Sequence, residues 1–266
     1  MTRTSDPAAR GRLPGQALFA ATLIGLGLWS LSRGEFGAIW QLVPKPFPAR
    51  EALVYASAAV SLATGAGLLW RRTAALAARL LVVVLLAWLL AFKVREVVLH
   101  PLVEVGWESL GESVVVLAGA LTLYARRVAS ERAVKIARAL YGLSMIAFGL
   151  THLVYLKQTA ALVPGWLPAH AAWAIATGGA YVAAGAAMLA GLLARLAATL
   201  SALQMGLFTL LVWAPMLLAG AKDPSAWSEA VVSWMLTVDG WVVAETYRGQ
   251  PWLSRESSGS SATRRG

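Results

Sequence analysis

Hydrophobic residues occur along this chain in eight long stretches, separated by short polar segments. The stretches are Gln16–Leu31, Ala52–Trp70, Leu80–Phe92, Val105–Ala125, Ala137–Leu156, Ala171–Leu193, Leu196–Gly220 and Ser228–Ala244. An α-helix needs about 20 apolar residues to cross a bilayer, and most of these stretches approach that length. The pattern therefore predicts an all-α integral membrane protein with eight transmembrane helices.

The same pattern occurs twice, at a spacing of 120 residues. Val43-Pro44 corresponds to Val163-Pro164, and Trp107 corresponds to Trp227. Before the proline motif the spacing is 122 residues, so that Ile24 corresponds to Ile146. We therefore expect two parallel four-helix repeats, related by a pseudo-twofold axis along the membrane normal. Their predicted bounds are 1–125 and 137–247, with a cytoplasmic linker at 126–136 and a disordered tail at 248–266.

Composition supports a lipid-facing surface. Only 14% of the 266 residues are charged and 58% are hydrophobic, whereas soluble domains carry about 25% charged residues. The net charge of +10 would indicate nucleic acid in a soluble protein, but here the positive-inside rule accounts for it. Sixteen Lys and Arg fall on the side that holds both termini, and seven fall on the other. We expect a multi-pass protein of a bacterial-type inner membrane with both termini in the cytoplasm, and no nucleic-acid partner.

Several kinds of chemistry are excluded or unsupported by the sequence. Cysteine is absent, which excludes disulfides, thiolate catalysis, iron–sulfur clusters and covalent c-type haem. The three histidines do not share a helix at ligand spacing. No nucleophile–base pair, metal-ligand spacing or phosphate loop occurs. We therefore predict no catalytic residue, no metal site and no autonomous catalytic activity.

Ionisable residues within apolar spans are candidate functional groups because they are costly at membrane depth. Lys93 and Arg95 end the third span, and Glu108 and Glu112 begin the fourth. A hairpin that turns near Pro101 would place Arg95 beside Glu108 and Lys93 beside Glu112. The group is interpreted either as two ion pairs or as an outer polar pocket for an anionic or quinone-like ligand.

His152 and Asp239 are the other polar candidates. Neither recurs in the first repeat, where Ser30 and Gly119 occupy the corresponding positions. His152 is expected either to bond a neighbouring carbonyl or to serve a ligand or proton. A carboxylate as deep as Asp239 must be neutral or paired, and Thr237, Ser233 or backbone could bond it. We expect a water-lined or ligand-lined path between the two residues, with substitutions that affect function more than folding.

The outer loop of the second repeat contains the motif Val163–Pro168. Pro164 and Pro168 prevent a spanning helix from continuing through it, and Trp166 favours the membrane–water boundary. The motif is interpreted as an interfacial segment, either a rigid turn with an aromatic anchor or a lid over a cavity.

The second repeat resembles the DoxX-like family of four-helix membrane proteins. The resemblance covers about Ala137 to Gly220 and is carried by Phe148–His152, Val163–Pro168, Thr177-Gly178-Gly179, Gly185 and Arg195–Ala198. The first repeat is more divergent but keeps Gly27, the prolines and Gly65. The chain is thus similar to a tandem duplication of the DoxX-like unit.

Because this family includes membrane subunits associated with thiosulfate:quinone oxidation, the resemblance implies a quinone-linked or redox-associated subunit. A quinone would then be its ligand, and a membrane redox subunit its partner. The alternatives are a small-solute carrier and an assembly or scaffold protein. Carriers usually contain helices broken near their middle, whereas Pro215 is the only deep proline within a predicted span.

Overall fold

The computed structural model describes residues 14–220 and 224–253, and within them the secondary structure is entirely helical. Its α-helices are α1 (Pro14–Arg33), α2 (Arg50–Leu69), α3 (Ala74–Leu99), α4 (Glu104–Arg127), α5 (Glu131–Val154), α6 (Leu156–Ala161), α7 (His170–Ala190), α8 (Ala194–Leu218) and α9 (Pro224–Ala244). Two short 3₁₀ helices, Ala38–Trp40 and Glu245–Tyr247, complete the described elements.

Seven of the described helices, all but α6 and α9, are long and apolar enough to cross a membrane. α9 has 21 residues, carries Glu229 and Asp239, and is not among these seven. Helices suit a bilayer because they satisfy their own backbone hydrogen bonds, and these present large exposed hydrophobic side chains such as Leu90 and Leu210. The expectation of an all-helical, multi-pass membrane protein is confirmed at this level.

The long helices form a ring in chain order. Each long helix packs on the next one along the chain, and α9 closes the ring by packing on α1. α4 and α9 also contact each other across the middle. In its most apolar stretch α4 is 67% buried, compared with 28–44% for the other six apolar helices. The polar side chains of α4 and α9 are therefore shielded by protein, as intramembrane ionisable groups usually are.

The buried carboxylate of Glu245 links three helices at the end of the molecule where both described termini lie. Glu245, just after α9, lies 3.9 Å from Arg126 and 3.2 Å from Arg248 and accepts from the backbone N–H of Gly15 at 3.5 Å. Burial raises the pKa of Glu245, and the two arginines and the Gly15 N–H oppose that rise. The contacts join the beginning of α1 to the ends of α4 and α9.

Glycines allow two equivalent helix pairs to approach closely. A Cβ added at Gly65 of α2 would lie 2.8 Å from the carbonyl oxygen of Ala20 in α1. A Cβ at Gly185 of α7 would overlap the carbonyl oxygen of Gly142 in α5. Small residues at such crossings let backbones pack without a side chain between them.

Local geometry also recurs at a spacing of 120 residues. α3 contains a π-helical segment at Leu89–Lys93, and α8 contains one at Thr209–Trp213. Ala49 and Ala169, which precede α2 and α7, both adopt left-handed backbone angles, with φ of 56° and 55°. Gly119 of α4 and Asp239 of α9, also 120 residues apart, contact each other directly.

The structure gives the conformation of two predicted connecting segments. Most of the expected linker at 126–136 is helical, because α4 continues to Arg127 and α5 begins at Glu131 with Ser130 as its N-cap. The first part of the expected disordered tail is held in place: Arg195 donates to the carbonyl of Gln250 at 2.6 Å and lies 3.9 Å above the ring of Trp252. Residues 254–266, like 1–13, lie outside the described part of the chain.

Candidate ligand-binding site

A cavity of about 590 Å³ lies between α4, α5, α7, α8 and α9 at the end of the molecule opposite the described termini. Its size falls within the range of small-molecule sites, about 300–1,000 Å³. Most of its lining is apolar or aromatic, and polar groups face it from these five helices and from α6. This combination is typical of a site for an apolar molecule with one polar end.

The proline motif Val163–Pro168 forms one wall. Val163, Pro164, Trp166 and Leu167 line the cavity, while Pro168 does not. The ring of Trp166 is also 70% exposed on the outside, as expected for a residue at the membrane boundary. The position of the motif agrees with its interpretation as a cover for a cavity.

Carboxylates from two helices meet at the cavity. Glu104, Glu108 and Glu112 follow one face of α4 at i, i+4 spacing, and Glu229 approaches from α9. Glu108, Glu112 and Glu229 are each only partly exposed. The α4–α9 crossing therefore brings together acidic groups that are more than 110 residues apart in the chain.

His152 and a group of aromatic rings form the opposite wall. Nδ1 of His152 bonds the carbonyl oxygen of Phe148 at 2.8 Å, so this nitrogen carries the proton in the neutral ring and Nε2 is the acceptor. The His152 ring lies edge-on to Tyr181, with centroids 5.6 Å apart, and 6.0 Å from Phe208. His152 therefore forms the expected bond to a neighbouring carbonyl and also lines the cavity.

The predicted ion pairs are absent among the described residues. Arg95 is exposed, does not line the cavity and forms no ion pair with Glu108. Lys93 is 1% exposed, and its ammonium group donates to the hydroxyl of Ser109 at 2.5 Å instead of approaching Glu112 within 4.0 Å. Lys93 and Glu112 share only a small void of about 10 Å³ beside the cavity. Neither predicted pair therefore lies within ion-pair distance, although Lys93 and Glu112 are close enough to border the same void.

Asp239 does not line the cavity. It is completely buried, and neither carboxyl oxygen has a hydrogen-bond partner in the described part of the chain. The expected bonds from Thr237 and Ser233 do not form, since the Thr237 hydroxyl donates to the Ser233 carbonyl. The structure thus brings His152, Glu108 and Glu112 to one cavity and leaves Asp239 at the deeper α4–α9 crossing.

The corresponding space in the predicted first repeat is filled. The loop after α1 folds inward, and the ring of Trp40 is completely buried, with its indole N–H donating to the hydroxyl of Ser61 at 2.8 Å. Trp40 packs edge-on against Trp88 of α3, which in turn contacts Phe36 and Phe92. Ser61 and Trp88 correspond to Tyr181 and Phe208 of the cavity wall. A packed aromatic cluster in one half thus occupies the position that corresponds to the open cavity in the other half.

Sequence reasoning missed several lining residues, above all Glu229. Glu229 could have been recognised from the sequence, because it is an acidic residue near the outer end of an apolar stretch, like Glu108. Tyr181 and Gln204 carried no comparable signal, because single Tyr and Gln residues in apolar helices are common at packed interfaces. No group of three metal-ligating side chains occurs in the described ranges.

No family model, curated protein or solved structure matches this chain. The site must therefore be interpreted from its own geometry.

Proposed function

We propose that this protein is an eight-span membrane protein of a bacterial-type inner membrane that binds a small amphiphilic molecule in the cavity of its second repeat. The difference between the two halves is the observation that carries the proposal. The loop after α1 fills its own half with Trp40, whereas Val163–Leu167 covers an open volume of about 590 Å³. Protein interiors are close-packed, so a volume of this size at an aromatic wall favours occupation by a ligand.

The proposed architecture is a tandem of two DoxX-like four-helix units with both termini in the cytoplasm. It is supported by the π-helical segments, left-handed residues and glycine contacts that recur 120 residues apart. α9 supplies the eighth span, since its 21 residues are long enough to cross a bilayer and its acidic groups face protein. The excess of Lys and Arg on the side of the termini supports the orientation.

A quinone-linked, redox-associated subunit is the second candidate function. The rings of Tyr181 and Phe208, stacked 6.3 Å apart beside His152, favour a flat aromatic ligand. In this case a membrane redox subunit would be the partner. A carrier or scaffold has no comparable support from the cavity.

Binding by the reconstituted protein tests the proposal. The full chain in phosphatidylcholine nanodiscs is titrated with tetraphenylphosphonium, tetraphenylborate and decylubiquinone, and empty nanodiscs give the partition background. Thr177→Phe adds bulk from α7 into the cavity, and Ile175→Phe places the same aromatic side chain on the exposed face of that helix. We expect saturable binding of at least one probe, weakened at least about tenfold by Thr177→Phe and unchanged by Ile175→Phe.

Binding that Thr177→Phe leaves intact, or no saturable binding of any probe, would overturn the proposal. Saturable binding of decylubiquinone, blocked by Thr177→Phe, would favour the quinone-linked candidate.

A further inference from the structure

The acidic side of the cavity holds more carboxyl groups than nearby cations. Glu108, Glu112 and Glu229 form no ion pair and accept no hydrogen bond within the described residues. No Lys or Arg is among the lining residues. Lys93 is behind this surface, donates to Ser109 and shares a small void with Glu112. Glu108 and Glu229 have no such cation beside them in the described part of the chain. Carboxylates in a shielded setting require a counter-charge or must stay neutral, and this surface is arranged to receive a charge from outside the chain.

Several other polar groups of the wall present acceptors to the cavity. The hydroxyls of Thr151, Thr159 and Thr177 donate to the backbone carbonyls of Phe148, Tyr155 and Trp173, which leaves their lone pairs available. His152 presents Nε2 as an acceptor, because its Nδ1 proton is used by Phe148. A ligand that brings N–H donors or positive charge suits this wall, whereas a quinone carbonyl or an anion would add another acceptor.

Aromatic rings in the part of the cavity away from the carboxylates also favour a cation. Tyr181 and Phe208 are stacked, and Trp173 and Trp213 also line the cavity. An organic cation gains attraction from such rings in addition to the burial of its apolar body. The rings and the carboxylates are on different helices, so the cavity can hold both ends of one molecule.

We propose that the ligand is a lipophilic organic cation, such as an amine with a bulky apolar body, and that Glu108, Glu112 and Glu229 receive its charge. This inference rests on the proposed function, since it specifies the ligand class of the same cavity. The cation sits between the α4–α9 carboxylates and the aromatic rings of α7 and α8. Access is from the side covered by Val163–Leu167.

Two probes of the same shape and opposite charge test this inference. Tetraphenylphosphonium and tetraphenylborate are titrated against the reconstituted full chain, with decylubiquinone as the neutral probe. We expect tetraphenylphosphonium to bind at least about tenfold more tightly than either other probe. Glu112→Gln and Glu229→Gln should each weaken its binding about tenfold, because each removes one carboxylate from a shielded site. Glu96→Gln is the matched control, since Glu96 is at the same end of the molecule but does not line the cavity.

A second measurement uses the wild-type protein in case a glutamine variant does not accumulate. Dicyclohexylcarbodiimide modifies carboxyl groups in apolar surroundings, and mass spectrometry locates the modified residues. Tetraphenylphosphonium should protect Glu108, Glu112 and Glu229 from modification, while tetraphenylborate should not.

The outcomes separate the two proposals. If tetraphenylborate or decylubiquinone binds as tightly as tetraphenylphosphonium and Thr177→Phe blocks it, the cavity binds ligands but the cation inference is overturned. Full binding of the cation to Glu112→Gln and Glu229→Gln, or no protection from the carbodiimide, also overturns it. If no probe binds, both proposals fail.

Discussion

At the scale of single residues, Asp239 is an ionisable group buried in the protein without a compensating partner among the described residues. Both of its oxygens are buried without a partner, and its side chain occupies the space above Gly119, the residue 120 positions earlier. A Cβ at Gly119 would overlap Oδ1 of Asp239 and lie 2.9 Å from its Cγ and 3.1 Å from Phe19. The absence of a side chain at 119 therefore makes room for the carboxyl at 239.

This contact predicts strong coupling between the two positions. Gly119→Ala should destabilise the protein by about 1–3 kcal/mol, as overpacking of a core does. In the Asp239→Gly background the same change should cost much less, because the overlapping atoms are gone. Thermal unfolding of the four variants in detergent measures the coupling, and Gly179→Ala, where a new Cβ meets nothing within 4 Å, is the control. Purely additive effects would mean that Asp239 does not occupy this space.

The local geometry of single residues also explains why the predicted ion pairs of Arg95 and Lys93 are not found. Arg95 and Glu108 are close in predicted depth, but depth along a helix does not determine the direction of a side chain. Lys93 is within the π-helical segment Leu89–Lys93, which changes the rotation of the residues after it relative to an α-helix. Its ammonium group thereby meets Ser109.

At the scale of elements, close packing of α5 on α7 depends on glycine. Gly149 faces the carbonyl of Gly178, and Gly185 faces that of Gly142, so each helix presents a glycine to the backbone of the other. α1 and α2 use Gly27 and Gly65 in the same way. In a bilayer such contacts contribute van der Waals packing, since lipid supplies no hydrophobic force between helices.

Gly185→Val should therefore separate α5 from α7. We expect a loss of about 1–3 kcal/mol, because the new side chain meets the backbone of Gly142 and Ile146, which cannot rotate away. Gly179→Val makes the same change of helix propensity on the same helix but faces open space. Thermal unfolding of both variants, together with their yield in the membrane, measures the difference. Equal losses for the two variants would show that propensity, not packing, sets the cost.

At the scale of the whole molecule, the helices of the two halves are joined into one ring. α4 packs on α5, and α9 packs on both α1 and α4, so the fourth helix of each predicted repeat contacts the first helix of the other. The cavity uses this arrangement, because α4 contributes acidic groups to a site whose other walls come from α5, α7, α8 and α9. The described termini meet at the opposite end through Glu245.

The orientation can be tested with single cysteines, because the chain contains none. Gly165→Cys places a thiol in the proline motif, and Leu192→Cys places one at an exposed position of the turn between α7 and α8. We expect a membrane-impermeant maleimide to label position 165 in intact spheroplasts and position 192 only after lysis. The cysteine-free wild type gives the background. Labelling of position 192 in intact spheroplasts would reverse the proposed orientation.

Helix positions and membrane character could be predicted from the sequence because they are local properties. The length of each apolar stretch sets its ability to cross a bilayer, and the distribution of Lys and Arg predicts the orientation. His152, Glu108 and Glu112 were recognisable for the same reason, since a polar residue in an apolar stretch is costly wherever its helix packs.

The cavity, by contrast, was decided only by the tertiary structure. Whether a space stays open depends on how each helix is rotated and on the volume of the side chains that reach it, and these properties come from distant residues. Trp40 and Trp88 fill one half, whereas Tyr181 and Phe208 leave the other open. Glu229 joins Glu108 and Glu112 only because α9 crosses α4 at that height. Lys93 and Asp239, equally conspicuous in the sequence, are directed away from the cavity by the geometry of α3 and the gap at Gly119.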